Sequence, residues 1–138
     1  MTIYIASSWR NQHGVEMLTW FLREAGHKVV SFVEIETKDQ HLPFEEWINS
    51  DGAQQCFHYD VSGATESDLV IYYGNSGKDA CAEMGAAWAK GIPILGLWAK
   101  GEDMGLMRFM VTRWYTDYNE LLKAVSEYAE SCVFNKNK

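Results

Sequence analysis

One stretch of the chain, residues 68–97, constrains the fold more than any other. It reads DLVIYYGNSGKDACAEMGAAWAKGIPILGL, where an apolar run at 69–73 leads into a glycine-containing loop and then a helical pattern. The run predicts a buried strand, the loop is of a size to hold a phosphate, and Gly91 with Pro93 ends the helix before a second buried strand. This order of elements is typical of an α/β fold.

The helix of this unit is predicted to span residues 78–90, and it carries one acid of interest. Ser76 is the expected N-cap, with Asp79 three residues on in the position of a capping-box acid. A turn of about 100° per residue places Glu83 just outside an apolar face. That face consists of Ala80, Cys81, Met84, Ala87 and Trp88. A half-shielded carboxylate near a helix start is a candidate nucleophile or base, and an ordinary surface glutamate is the alternative.

Composition indicates one globular domain over residues 1–138. The hydrophobic share of 47% and the charged share of 22% are ordinary for such a domain. No apolar run reaches the roughly 20 residues of a membrane helix, and residues 1–10 lack a signal-peptide pattern, so we expect a cytoplasmic protein without membrane contact. The formal charge of −7 argues against binding to nucleic acid polymers.

Cysteine and histidine spacing suggests no metal centre. The three cysteines, Cys56, Cys81 and Cys132, form no CxxC pair and suggest neither a disulfide framework nor a zinc site. The four histidines also lack metal-ligand spacing. We therefore expect no metal and no other cofactor.

The rest of the chain alternates strands with helices. Further strands are expected at residues 2–6, 28–33, 92–97 and 109–114. Helices are expected before Gly26, at 60–67 and from Asp117, and a short one at 44–49 within an irregular excursion over 34–59. Residues 133–138 are expected to fray.

Such alternation predicts a three-layer α/β domain with a mostly parallel five-stranded sheet. If the strand order is 2-1-3-4-5, as in flavodoxin-like folds, the loops after the first and third strands face each other across a crevice. These loops are residues 7–11 and 74–79.

The two facing loops carry groups that suit an anion. Ser7, Ser8 and Arg10 offer hydroxyls and a guanidinium, while Ser76 and Gly77 offer a hydroxyl and backbone N–H groups at a helix start. Together they could hold a phosphate or a sugar hydroxyl; plain turn and cap residues are the alternative. The loop GNSGKD matches neither the P-loop nor the GxGxxG pattern, so ATP and dinucleotide chemistry are unsupported.

Three segments together resemble the nucleoside 2-deoxyribosyltransferase-like superfamily. They are the opening IYIASSWRNQHGVEMLTWFLREAGHKVVSF, Asp60 ahead of SDLVIYYG, and the helix and strand ACAEMGAAWAKGIPILGL. The superfamily includes deoxyribosyltransferases and nucleoside 5'-monophosphate N-glycosidases, and is distantly related to the TIR domain. The resemblance spans nearly the whole chain and is weakest over residues 34–59.

The resemblance implies roles for individual residues. Glu83 matches the nucleophilic glutamate that attacks the anomeric carbon of the sugar. Asp60 matches the aspartate that binds the sugar or assists departure of the base, and Tyr4 matches the tyrosine that orients the nucleophile.

It also implies a substrate pocket and an assembly. Ser8, Arg10 and Ser76 resemble the phosphate contacts of the nucleotide-cleaving branch, and Trp9 or Trp47 could stack on the base. The implied assembly is a homodimer or higher homo-oligomer in which a neighbouring copy closes the site.

Two departures from the family pattern bear on the activity. Gly77 stands where the transferases have a base-gripping aspartate, and the chain ends in FNKNK rather than a carboxylate near the site. Both favour hydrolysis of a nucleotide, or loss of activity, over base exchange. We therefore expect an N-glycosidase or 2-deoxyribosyltransferase acting on a nucleotide or nucleoside; a non-catalytic nucleotide-binding module and TIR-like NAD cleavage are the alternatives.

Overall fold

The structure, a computed structural model, describes residues 1–136. The strands are β1 (Thr2–Ala6), β2 (Lys28–Ser31), β3 (Leu69–Tyr73), β4 (Ile94–Leu97) and β5 (Arg113–Tyr115). The α-helices are α1 (Gln12–Glu24), α2 (Phe44–Trp47), α3 (Asp51–Glu66), α4 (Lys78–Ala89) and α5 (Tyr118–Lys136). Short 3₁₀ helices occupy Trp9–Asn11, Phe32–Glu34 and Gly105–Met110.

The strands form one parallel sheet in the order β2-β1-β3-β4-β5. This confirms the predicted fold class and strand order. The sheet is buried on both faces, which explains why β3 is a continuous apolar run rather than an alternating one.

Successive residues of β1 face two different hydrophobic layers. Ile3 and Ile5 pack in the cluster that includes residues of α1 and α5, whereas Tyr4 lies in the cluster that includes residues of α3 and α4. The alternation of a central strand therefore aims the Tyr4 side chain into the α3–α4 layer.

The prediction for residues 34–59 was wrong over its second half. Residues 51–66 form one helix, α3, instead of an irregular segment followed by a short helix at 60–67. Ser50 caps it by accepting a hydrogen bond from the backbone N–H of Ala53 at 3.2 Å. The helix was missed because it buries the small residues Gly52, Gly63 and Ala64 and leaves Phe57 exposed, so no apolar period marks it.

Three element boundaries also differ from the prediction. The second strand stops at Ser31 because a 3₁₀ turn follows it, and residues 105–110 form a 3₁₀ helix so that the last strand begins only at Arg113. The expected frayed tail is helical as far as Lys136, while residues 137 and 138 lie outside the described part of the chain.

The helices were also compared with the requirements of a bilayer. Over residues 1–136 no helix has both the length and the apolar character that crossing a membrane demands.

The packing of α1 gives a test of this architecture. Leu18 is fully buried against the sheet, whereas the adjacent Met17 is 58% exposed. We expect Leu18→Ala to lower the free energy of unfolding by about 2–5 kcal/mol because it leaves a cavity. Met17→Ala should change it by less than about 0.5 kcal/mol, and urea unfolding of both variants provides the measurement.

Candidate active site

The loops that follow β1 and β3 are bonded to each other at the carboxyl edge of the sheet. The Ser7 hydroxyl donates to the carbonyl of Tyr73 at 2.8 Å. Asn11 Nδ2 donates to Ser7 Oγ at 3.0 Å and to the carbonyl of Asn75 at 2.7 Å. The loops therefore face each other as predicted. Ser7 is buried between them, and its hydroxyl is hydrogen-bonded within the protein.

A cavity of about 360 Å³ opens between these loops. Seven of the predicted site residues line it: Ser7, Ser8, Trp9, Asp60, Ser76, Gly77 and Glu83. Phe32, Lys78 and Asp79 also line it, and none of these three was among the predicted site residues. The sequence contained a signal for Lys78 and Asp79, because both belong to the predicted facing loop at 74–79.

Arg10 lies at the rim of this polar cavity rather than in its wall. Its side chain is exposed, and its Nε donates to Ser8 Oγ at 3.3 Å. One terminal nitrogen lies 4.0 Å from the position that a Cβ on Gly77 would occupy. The guanidinium is thus within reach of the amino end of α4.

The amino end of α4 differs from the prediction in its cap. The N-cap is Gly77, which offers no side chain, and not Ser76. The first N–H groups of the helix are therefore left without a side-chain acceptor beside the cavity, where the helix dipole favours negative charge. Ser76 Oγ is buried, and within residues 1–136 it has no hydrogen-bond partner.

Three polar side chains from different elements lie close together, and two of them, Asp60 and Glu83, line the cavity, whereas Tyr4 does not. Tyr4 comes from β1, Asp60 from α3 and Glu83 from α4. Tyr4 Oη, Asp60 Oδ1 and Glu83 Oε2 are all buried, and none has a hydrogen-bond partner in the described part of the chain. Unpaired buried polar atoms are costly, so their concentration at one place marks the site.

Burial controls the protonation of the two carboxyl groups. Loss of solvent contact raises the pKa of Glu83 to about 8, with the negative charges of Asp60 and Asp79 adding to the effect. Burial likewise raises the pKa of Asp60 to about 6. At neutral pH the pair thus holds about one proton between its two members, and the titration belongs to the pair.

The Tyr4 phenol acts on both carboxyl groups. Burial, reinforced by the charges of Glu83 and Asp60, raises the pKa of Tyr4 far above its ordinary value, so Tyr4 stays protonated. As a neutral donor it lowers the pKa of each carboxyl group, although burial outweighs it. The Tyr4 hydroxyl forms no hydrogen bond in the described part of the chain. Its effect on the two carboxyl pKa values therefore comes from its proximity to them.

A second cavity of about 430 Å³ is also lined by these acids. Asp60, Asp79 and Glu83 line both cavities. The remaining walls of the second are largely apolar and include Trp47, Ile48, Phe57, Ala82 and Ala86. Sequence reasoning named only Trp47 here, because α3 and its exposed Phe57 had been assigned to an irregular segment.

Metal-ligand clustering was also tested by geometry. Among residues 1–136 no three His, Cys, Asp or Glu side chains come together as a metal site.

No protein-family model matches the chain, and no curated protein matches it either. Several solved structures are similar to the chain. A 2-deoxyribosyltransferase from Bacillus psychrosaccharolyticus is similar over 88% of this chain and 90% of its own, with 22% identity and a TM-score of 0.71. The CMP N-glycosidase BcmB of Clostridium botulinum is similar over 93% of this chain and 100% of its own, with 23% identity and a TM-score of 0.58.

A third similar structure is a conserved protein from Enterococcus faecalis V583, with 16% identity over 93% of this chain and 98% of that one, and a TM-score of 0.72. The chain therefore has the fold of nucleoside 2-deoxyribosyltransferase-like proteins, as the sequence resemblance implied. At these identities the likeness establishes the fold, and the chemistry has to be argued from the site.

The raised pKa of Glu83 predicts a pH dependence of stability. In the unfolded chain Glu83 ionises near 4.5, whereas in the folded protein it keeps its proton up to about 8. Stability should therefore be highest at the acidic end of this window and fall as pH rises through it, because only the unfolded chain loses the proton. Urea unfolding at intervals from pH 5 to 8 should show a shallower fall in Glu83→Gln.

The exposed Glu66 provides the control for that comparison. Glu66→Gln should keep the slope of the unmodified protein. Equal slopes in the unmodified protein and Glu83→Gln would mean that Glu83 ionises normally in the folded state.

Proposed function

We propose that the protein hydrolyses the N-glycosidic bond of a nucleoside 5'-monophosphate, with Glu83 as the nucleophile. The observation that carries this proposal is the pair of buried carboxyl groups, Asp60 and Glu83, standing between a polar and an apolar cavity. Such a pair suits a sugar whose two ends differ, with phosphate on one side and base on the other. Two proteins with the same fold are named as a 2-deoxyribosyltransferase and a CMP N-glycosidase, which supports glycosyl chemistry on nucleosides or nucleotides.

The polar cavity is assigned to the phosphate. An anion is favoured there by the uncapped start of α4 and by the cations Arg10 and Lys78. The buried hydroxyl of Ser76, which has no hydrogen-bond partner in the described part of the chain, adds a further donor. Ser8 also lines this cavity, although its hydroxyl already accepts from Arg10. Phosphate held here supplies binding energy away from the reacting bond and fixes the sugar beside the carboxyl groups.

The apolar cavity is assigned to the base. Planar heterocycles bind well between aromatic and aliphatic side chains, and Trp47, Ile48 and Phe57 provide such a lining. Of the two tryptophans considered for stacking, Trp47 lines this cavity, whereas Trp9 lines the polar one. Gly77, in the polar cavity, occupies the position at which the resemblance expects the base-gripping aspartate of the transferases, and this favours water over a second base as the acceptor.

The proposed reaction has two steps. The bond between the base nitrogen and the anomeric carbon breaks through an oxocarbenium-like state, its electron pair leaves with the base, and Asp60 protonates the base. Ionised Glu83 forms an ester with the anomeric carbon. Water then attacks that carbon and gives a proton to Asp60, which frees Glu83 and releases a pentose 5-phosphate.

The reactive protein is the form with one proton on the pair. In the free protein that proton resides mainly on Glu83, since its pKa is the higher of the two. Positive charge growing on the sugar next to Glu83 favours its ionised form, and the proton then belongs on Asp60. Tyr4 lies near both carboxyl groups and favours the ionised form of each. It is assigned to orienting the nucleophile.

The proposal includes the homo-oligomer that the resemblance implies. Phe57 is 61% exposed at the apolar cavity, and Phe44 in the neighbouring α2 is 67% exposed. A second copy of the chain would cover such side chains and close the cavity over the base.

Removing the proposed nucleophile tests the assignment. Glu83→Ala and Glu83→Gln should lower release of free base from nucleoside 5'-monophosphates by at least about a hundredfold, because the cation loses its carboxylate. Chromatography of incubations with ribo- and deoxyribonucleoside monophosphates, free nucleosides and NAD gives the measurement and ranks the substrates. Glu66→Gln on the exposed end of α3 serves as the control and should match the unmodified protein.

Unchanged base release in both Glu83 variants would remove Glu83 from the mechanism. Tight nucleotide binding with no free base from the unmodified protein would instead indicate a binding module. Cleavage of NAD alone would point to TIR-like chemistry.

The shared proton predicts a bell-shaped pH profile. Below pH about 6 both carboxyl groups are protonated and no nucleophile exists; above about 8 both are ionised and no acid remains. We expect kcat/KM for a nucleoside 5'-monophosphate to fall on both sides of this window. In Asp60→Asn the acidic limb should shift, because the asparagine no longer titrates, and a profile identical to that of the unmodified protein would contradict the pairing.

A further inference from the structure

The loop between β4 and β5 packs on the loop after β3, next to the polar cavity. Asn75 Nδ2 donates to the carbonyl of Gly101 at 3.3 Å. Gly101 has a φ of 87°, a left-handed value, in a turn where the N–H of Glu102 donates to the carbonyl of Ala99 at 3.1 Å. This turn directs the Glu102 side chain back toward the sheet.

Glu102 reaches the phenol of Tyr72, and Tyr72 in turn reaches the cavity loop. The Tyr72 hydroxyl donates to Glu102 Oε1 at 3.1 Å. The same hydroxyl accepts from the backbone N–H of Ser76 at 3.2 Å. A series of two hydrogen bonds therefore runs from Glu102 through Tyr72 to Ser76, which lines the polar cavity and whose hydroxyl is buried without a hydrogen-bond partner in the described part of the chain.

The chemistry of the three groups determines which of them donates in each of the two hydrogen bonds. An ionised carboxylate only accepts, so the Tyr72 hydrogen points at Glu102 and a lone pair of its oxygen is left for Ser76 N–H. Burial, together with the Glu102 charge, raises the pKa of Tyr72 well above its ordinary value, so the hydrogen stays in place. Tyr72 itself is fully buried, and its ring packs edge-on against Trp114, which allows the phenol little freedom.

The arrangement needs space that only a glycine leaves. A Cβ on Gly74 would overlap Glu102 Oε2 and would lie 2.9 Å from the carbonyl oxygen of Leu97. Glu102 Oε2 is buried without a hydrogen-bond partner in the described part of the chain. Leaving a buried acceptor unpaired is destabilising, so the placement of Glu102 is not explained by stability alone.

We propose that Tyr72 and Glu102 are positioning residues that hold the Ser76 backbone, and with it the Ser76 hydroxyl and the start of α4, in the geometry that binds a phosphate. The inference rests on the proposed function for its substrate, a nucleoside 5'-monophosphate. Neither residue lines the polar cavity, so both act through Ser76. The pair determines specificity for a phosphorylated over an unphosphorylated nucleoside.

The test compares two substrates that differ only in the phosphate. In Tyr72→Phe and Glu102→Ala we expect KM for a nucleoside 5'-monophosphate to rise about three- to tenfold at nearly unchanged kcat, as for the loss of about one hydrogen bond in binding. KM for the matching nucleoside should stay the same. Glu102→Gln keeps an acceptor oxygen and should restore most of the affinity, while the double variant should be no worse than Tyr72→Phe, because the two residues act as one unit.

Two matched control variants remove similar groups that take no part in the hydrogen bonds of Glu102, Tyr72 and Ser76. Tyr73→Phe deletes the phenol of the next residue, which packs against the opposite hydrophobic cluster, and Asp103→Ala deletes the exposed neighbouring carboxylate. Both should keep the KM of the unmodified protein. A rise in KM that is equal for nucleotide and nucleoside, or is absent from Tyr72→Phe and Glu102→Ala, would overturn the proposal.

Failure of the proposed function gives a different result. If the unmodified protein releases no base, the same variants are compared by the rise in Tm that inorganic phosphate produces. The positioning role then predicts a rise in the unmodified protein and both controls, and little or none in Tyr72→Phe and Glu102→Ala. Equal rises in all of them, or none in the unmodified protein, would overturn it.

Discussion

The close approach of α3 to the central strand β1 is the constraint on which the site depends. A Cβ on Gly63 would overlap the ring of Tyr4 and would lie 3.0 Å from a methyl group of Val30. Because Gly63 has no side chain, α3 lies directly on the sheet and brings Asp60, one turn earlier, beside Tyr4. The buried residues Ala80, Met84 and Ala87 of α4 pack in the same hydrophobic cluster as Tyr4, and this packing positions Glu83 near it. A wider separation of these layers would admit water and return both carboxyl groups to their ordinary pKa values.

This packing explains how two acids and a phenol can lie buried without partners. The fold is stabilised by two hydrophobic clusters, one on each face of the sheet, and most of the buried side chains belong to them. That burial can offset the cost of unsatisfied polar atoms such as those of Tyr4, Asp60 and Glu83. Desolvation is the largest cause of the raised pKa values of Asp60, about 6, and of Glu83, about 8.

The polar cavity depends on loops rather than on the core. Ser7 and Asn11 bond the loops of β1 and β3 together, and Glu102 reaches the second of these loops through Tyr72. These hydrogen bonds at the carboxyl edge of the sheet therefore fix the backbone of the loops. Within residues 1–136 the hydroxyl of Ser76 has no hydrogen-bond partner and the first turn of α4 has no side-chain cap, and these are groups that an anion can use.

The sequence by itself determined the order of strands and helices, the parallel sheet and the central unit around Glu83, because apolar periodicity and glycine positions are local signals. It also named seven residues of the polar cavity. Five of them follow parallel strands, whose carboxyl ends meet at one edge of the sheet, whereas Asp60 and Glu83 lie on helices and were indicated by the family resemblance. Tertiary structure alone decided the second cavity, the full extent of α3 and the contact of Glu102 with Tyr72. α3 packs through small residues that leave no hydrophobic period, and the 30 residues between Tyr72 and Glu102 are bridged only when the sheet closes. Whether a carboxyl group is buried, and so whether its pKa moves, is a property of neighbours that are distant in the chain.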